Sequence, residues 1–329
     1  MTDELNRRGF MGAAATATIG GVTMIPGFGP AFAATPGYDY DKAIASFRFK
    51  DPIWNRDAYG KLQANLDTTK TKYGWVQGIC LGTKDNERVR ELFGFEVASA
   101  CKFIKNPDGS YRKLLREVGY YTDLKTGEYL TEWDNPYTKE RVKVVKIAND
   151  PFNYTISEFY PDPPSFGGLN TEKPPKVPFL LKWTLAGKTT LLLETDIHLF
   201  YPNALDPEKW PRESSGKMLR ASEMYRYVIR VEDMADPNKT SVEYAGTWNR
   251  ITPWLPWMLM GQTQGHITYV TYMGGFDDMN SIPAKLLEHT KKNDPKFLVA
   301  PEKDEGPSLS SIENYARTQK PAPAKQPGT

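Results

Sequence analysis

Between residues 74 and 273 the chain is a succession of runs in which apolar and polar side chains alternate, with Gly, Pro, Asn or Asp in many of the links. A period of two predicts β-strands. The runs are 74–82, 92–105, 111–121, 128–134, 142–147 and 154–159, then 179–185, 189–200, 220–231, 240–250 and 266–273. Most links are short, and those at 123–127, 186–188 and 236–238 carry the Gly, Pro and Asn of tight turns. Strands joined this way pair with their sequence neighbours. The expectation is a mainly β fold: a large antiparallel up-and-down β-barrel, lipocalin-like or calycin-like, closed or nearly closed, with few short helices.

Only two stretches show helical spacing. Residues 57–69 place Ala58, Leu62 and Leu66 on one side, and residues 282–292 form the second. Residues 161–178 hold six prolines and two glycines, which excludes regular structure there. Because strands resume at Phe179 with the same character, 34–300 reads as a single domain crossed by this loop. The Pro-, Ser- and Lys-rich residues 301–329 read as an extended tail.

Alternation also sorts candidate chemistry. Along 191–200, Leu191, Leu193, Thr195, Ile197 and Leu199 share one face, while Glu194, Asp196 and His198 form a titratable ladder on the other. Facing inward, the ladder would need partners, a metal or a catalytic role; facing outward, it is a solvated surface. On the next strand Glu223, Tyr225, Tyr227, Ile229 and Val231 share a face that mixes a carboxylate and two phenols with branched aliphatics. Such a face suits a ligand cavity, and equally a core whose hydroxyls reach water. Trp248, Arg250, Trp254 and Trp257 make the densest aromatic cluster, either a stacking surface for an apolar ring or a Pro-stiffened plug. His266 would lie beside it.

Other chemistries lack their motifs. There is no G-x-S-x-G elbow, P-loop, dinucleotide fingerprint or H-E-x-x-H. No cofactor is assigned. A metal site drawn from His198, His266 and Glu194 or Asp196 has the residue types but no diagnostic spacing. Cys80 and Cys101 show neither redox nor zinc spacing; they read as buried free thiols, with a disulfide between neighbouring strands as the alternative.

Charge narrows the partners. With 42 basic and 40 acidic side chains, net +2, the chain offers no basic face to nucleic acid. Arg7 and Arg8, followed by Gly-Phe-Met, a weakly apolar stretch and Ala31-Phe32-Ala33, have the layout of a twin-arginine signal over residues 1–33. The expectation is export to the periplasm through the twin-arginine machinery, cleavage before Ala34, and no membrane association afterwards.

Together the paired arginines, the Tyr-rich strands and the segment from Gly246 to Trp254 resemble a family of exported bacterial proteins defined as a domain of unknown function. That resemblance implies location; it brings no catalytic residues.

The functional expectation is a periplasmic barrel enclosing a hydrophobic, aromatic or polycyclic small molecule and rearranging it by acid–base chemistry, as an isomerase or lyase. Glu194 or Asp196 would be the base, His198 or Tyr225 the proton donor, Arg226 or Arg250 the anion holder, and Trp248 and Trp254 the ring cover. The alternatives are a non-catalytic carrier and a metal-dependent oxidoreductase.

Overall fold

A computed structural model of the chain describes residues 33–161 and 175–323, all but Ala33 within one compact unit spanning Ala34–Thr329. The segment expected to be a signal, except for Ala33, and most of the Pro-rich loop lie outside the described residues. No described helix is long and apolar enough to cross a membrane.

Among the described residues twelve strands form, all paired antiparallel. They are β1 (Lys72–Lys84), β2 (Arg90–Lys105), β3 (Tyr111–Thr122), β4 (Glu132–Asp134), β5 (Arg141–Lys143), β6 (Ile147–Asn149), β7 (Tyr154–Ile156), β8 (Lys182–Ala186), β9 (Thr190–Pro202), β10 (Met218–Arg230), β11 (Tyr244–Thr252) and β12 (Gly265–Phe276). Ten make one sheet in the order β6-β3-β2-β1-β12-β11-β10-β9-β8, with β7 also on β3; β4 and β5 pair separately. The first and last strands are thus neighbours, the pairing that an up-and-down barrel uses to close.

The sheet nevertheless stays open. Its edges are β8 on one side and the three-residue β6 and β7 on the other, and no ladder joins them among the described residues. A single bridge spans the gap: Tyr160 N donates to Val177 O at 2.9 Å and Phe179 N to Glu158 O at 2.8 Å, around Phe159 and Pro178. The prolines that flank this bridge cannot donate to a longer ladder. The antiparallel, mainly β architecture is as expected, whereas the continuous barrel is not formed.

One face of the sheet is lined by Phe93, Phe95 and Val97 of β2, Leu191 and Leu193 of β9, Tyr227 and Ile229 of β10, and Tyr269 and Met273 of β12, all buried. Close backbone approach is required between β1 and β12, because a Cβ on Gly78 would lie 2.1 Å from Val270 O.

Among the described residues five α-helices accompany the sheet: α1 (Tyr40–Ala45), α2 (Pro52–Gln63), α3 (Val231–Ala235), α4 (Ala284–Asn293) and α5 (Ser311–Thr318). Helix α2 begins five residues before the apolar spacing predicts, because Asp51 caps it, accepting from Ile53 N at 2.9 Å, and Pro52 occupies the first turn. It ends before Leu66, whose N–H instead donates to Thr240 O at 2.8 Å. Leu62 of α2 packs with Leu191, Leu193, Tyr227 and Ile229, so this helix sits on the lined face. Helix α4 and the 3-10 turn Pro295–Leu298 cover the opposite face of β2 and β3, where Tyr120 OH donates to Asp294 at 2.7 Å.

The C-terminal segment corrects the expectation of an extended tail. Residues 311–318 are helical, started by a capping box in which Glu313 N donates to Ser310 Oγ at 3.2 Å and Ser310 N to Glu313 at 2.7 Å. The Ser-x-x-Glu signature was present at 310–313, inside composition that otherwise reads as disordered. Cys80 and Cys101 are both buried and free, on β1 and β2.

Candidate functional site

The lined face encloses a cavity of about 1070 Å³. Its wall is mostly apolar and aromatic, including Phe95, Trp248, Tyr269 and Trp257, with a few charged groups among them. Phe95 meets Tyr269 edge-on at 4.8 Å between ring centroids, and Trp248 lies 5.4 Å from the same ring. A volume of this size holds a drug-sized or polycyclic molecule.

Four acidic residues border this cavity, Glu117, Asp196, Glu213 and Glu223; Glu117 on β3 and Glu223 on β10 are held differently. Glu223 on β10 accepts from Tyr225 OH at 2.6 Å and Trp248 Nε1 at 3.2 Å, and faces Arg250 Nη1 at 3.4 Å. β10 and β11 set this group by register, since Glu223 is the direct partner of Arg250 and Tyr225 of Trp248. Arg250 has donors to spare: its Nε is buried and without a protein partner. Burial and the Glu223 charge push the Tyr225 phenol well above its ordinary pKa, so it is a protonated donor.

Glu117 on β3 has one short donor, Asn149 Nδ2 at 2.6 Å. Burial raises its pKa from the usual carboxylate range against that hydrogen bond, and the Glu223 charge adds to the rise. The surface Glu117 keeps is turned to the cavity. Asn149 is itself braced by the C-terminal helix, donating to Ser311 Oγ at 3.2 Å and accepting from Asn314 Nδ2 at 2.9 Å. Ile312 and Tyr315 of that helix also line the cavity.

The sequence-derived residues fall into two groups. Tyr225, Trp248 and Arg250 are in the cavity, on the mixed face that alternation singled out. Trp254 borders it but is 4 % exposed and donates its Nε1 to Thr263 O at 2.9 Å, packing in one core cluster with Trp257. It serves as the plug.

The titratable ladder points the other way, although Asp196 also borders the cavity. Glu194 pairs with Lys182 at 3.0 Å, Asp196 with Arg226 at 2.6 Å, and His198 Nδ1 is 3.0 Å from Ser222 Oγ, all toward solvent. Leu191, Leu193 and Tyr227 take the inner face because that is where the apolar area is, and a strand period of two then forces Glu194, Asp196 and His198 outward. Arg226 goes with them and holds no place at the cavity.

His266 is likewise on the outer face, as its buried neighbours Ile267 and Tyr269 take the inner one. His198 and His266 sit on β9 and β12, with β10 and β11 between. Three strand spacings put them roughly 14 Å apart, too far to share a mononuclear metal. Among the described residues no group of three or more His, Cys, Asp or Glu is placed to hold a metal ion.

Glu117 and Asn149 were missed, and Glu223 was read only as part of a mixed face, not as a site residue. The signal for Glu223 was the mixed face of β10; for Glu117 there was none, because β3 alternates Arg, Lys and Glu with leucines on both faces.

A β-sheet protein with an enclosed, aromatic-walled cavity and a small set of convergent polar groups has the anatomy of a small-molecule site. Residues 69–319 match the family model described as a protein of unknown function, DUF1838, and the chain belongs to that family. No curated protein matches the chain.

Proposed function

We propose that this protein binds a hydrophobic small molecule in the cavity and transforms it by acid–base chemistry, as an isomerase or lyase. The observation that carries the reading is the pair of carboxylates in one aromatic cavity in unequal surroundings. Three donors converge on Glu223, whereas Glu117 is desolvated with one. Such a division assigns a fixed charge to the first and proton transfer to the second. Glu117, with its raised pKa, is suited to take a proton from a carbon beside a ligand carbonyl and to return it elsewhere. The unpartnered donors of Arg250 are suited to hold the carbonyl oxygen as charge develops there.

In this reading the wrapped sheet works as a lipocalin-like or calycin-like barrel. The Arg7-Arg8 motif and Ala31-Phe32-Ala33 support export by the twin-arginine route and action in the periplasm.

Native mass spectrometry of the mature protein, purified gently from its own host, followed by analysis of what denaturation releases, tests the binding half. A stoichiometric apolar compound is expected and becomes the substrate to try. With it in hand, Glu117→Gln should bind and fail to turn over; equal loss of binding, or retained turnover, would sink the assignment of Glu117.

A further inference from the structure

The cavity has a second polar end. Lys113 on β3 is 7 % exposed and lines it together with Gln63, Tyr59, Tyr154 and Tyr227. Lys113 Nζ donates to Gln63 Oε1 and to Tyr154 OH, both at 3.2 Å. Tyr154 OH in turn donates to Gln63 Oε1 at 2.5 Å, and Gln63 Nε2 donates to Tyr227 OH at 3.0 Å. These partners are neutral. Among the described residues no carboxylate forms an ion pair with Lys113, which leaves a cation inside the protein with one donor to spare.

An unbalanced buried charge costs several kcal/mol and persists where something else meets it. Arg250 differs, since Glu223 already balances it. Glu117 forms no ion pair with Lys113: four residues along β3 on the same face set the two Cα atoms roughly 13 Å apart, so the two charges act on each other only at a distance, and Glu117 is taken by Asn149. The walls between the two ends are apolar, including Leu115 of β3, Val97 of β2 and Met273 of β12.

We propose that Lys113 holds the anionic head of the ligand, so that the substrate class is an apolar carboxylate or comparable mono-anion. Its head lies among Lys113, Gln63 and Tyr154, and its body runs along the cavity toward Glu117, Tyr225 and Arg250. This rests on the reading of the cavity as a small-molecule site and adds the charge and orientation of what enters it.

The test uses two probes that differ by one anionic group, 1-anilinonaphthalene-8-sulfonate and its neutral parent N-phenyl-1-naphthylamine, titrated by fluorescence into the folded mature protein. Lys113→Met should weaken the sulfonate about tenfold or more and leave the neutral probe within about a factor of two. Lys113→Arg should retain most of the sulfonate affinity. Near-UV circular dichroism checks folding, and Lys113→Gln replaces the methionine variant if that one does not reach the native spectrum. Unchanged sulfonate binding in the Lys113 variants, or a loss confined to Arg250→Met, would overturn the assignment of the head group while leaving the cavity reading intact. Failure of both probes to bind the folded wild type would overturn the cavity reading itself, and this inference with it.

Discussion

Asn149 Nδ2 donates to Glu117 Oε1 at 2.6 Å, and the two residues face each other directly across the β3–β6 pairing. Asn149 also meets Ser311 and Asn314, so the C-terminal helix reaches the cavity carboxylate through one amide. The tail of the chain is part of the site.

Glu117 makes stability pH-dependent in a definite direction. Its pKa is raised in the folded state, so the folded protein binds the proton more tightly than the unfolded chain. The contribution is fully present below the unfolded value and is lost as pH rises through the folded one. Glu117→Gln removes that loss. Urea denaturation of both proteins should therefore show the variant gaining on wild type as pH rises from about 4 to 8; parallel curves would mean Glu117 does not titrate in that window.

Arg250→Met leaves Glu223 in the cavity with two neutral donors and no cation. We expect a loss of about 2 kcal/mol, below the range for fully dry pairs because both side chains retain some exposure. The double variant with Glu223→Gln should recover part of it. Additive losses in that cycle would show that the two groups are not coupled.

The outward ladder predicts silence. Asp196→Asn and His198→Ala break exposed pairs, worth at most about 1 kcal/mol each. Binding of N-phenyl-1-naphthylamine should be unchanged in both. A tenfold loss in either would return the ladder to the site.

Ser310→Ala removes one half of the capping box and should cost about 1 kcal/mol, confined to the C-terminal helix. Hydrogen exchange should quicken over residues 311–318 and, through Asn149, at β6. The rest of the large sheet should keep its protection.

Burial of one strand face depends on a period of two that is written in the sequence, so most strands, their antiparallel order and the mixed face bearing Tyr225 were legible there. So were the indole and guanidinium of Trp248 and Arg250 as cavity residues. Which face of β9 turns inward was not legible, because Leu192 and Phe200 stand on the ladder side among Glu194, Asp196 and His198, and the deciding contacts come from Leu62 of α2 and Tyr227 of β10. Glu117 was hidden for the same reason. A carboxylate on a strand is an ordinary polar position until Asn149, 32 residues later, pairs with it and the sheet wraps both around one cavity. The start of α2 at Asp51 and the capping box at Ser310 were local signals present in the chain, outweighed by weak apolar spacing and by Pro-rich surroundings. Alternation is local and survives in one dimension. The cavity, its two unequal carboxylates and its unbalanced lysine depend on contacts between strands far apart in sequence, and only the tertiary structure decides those.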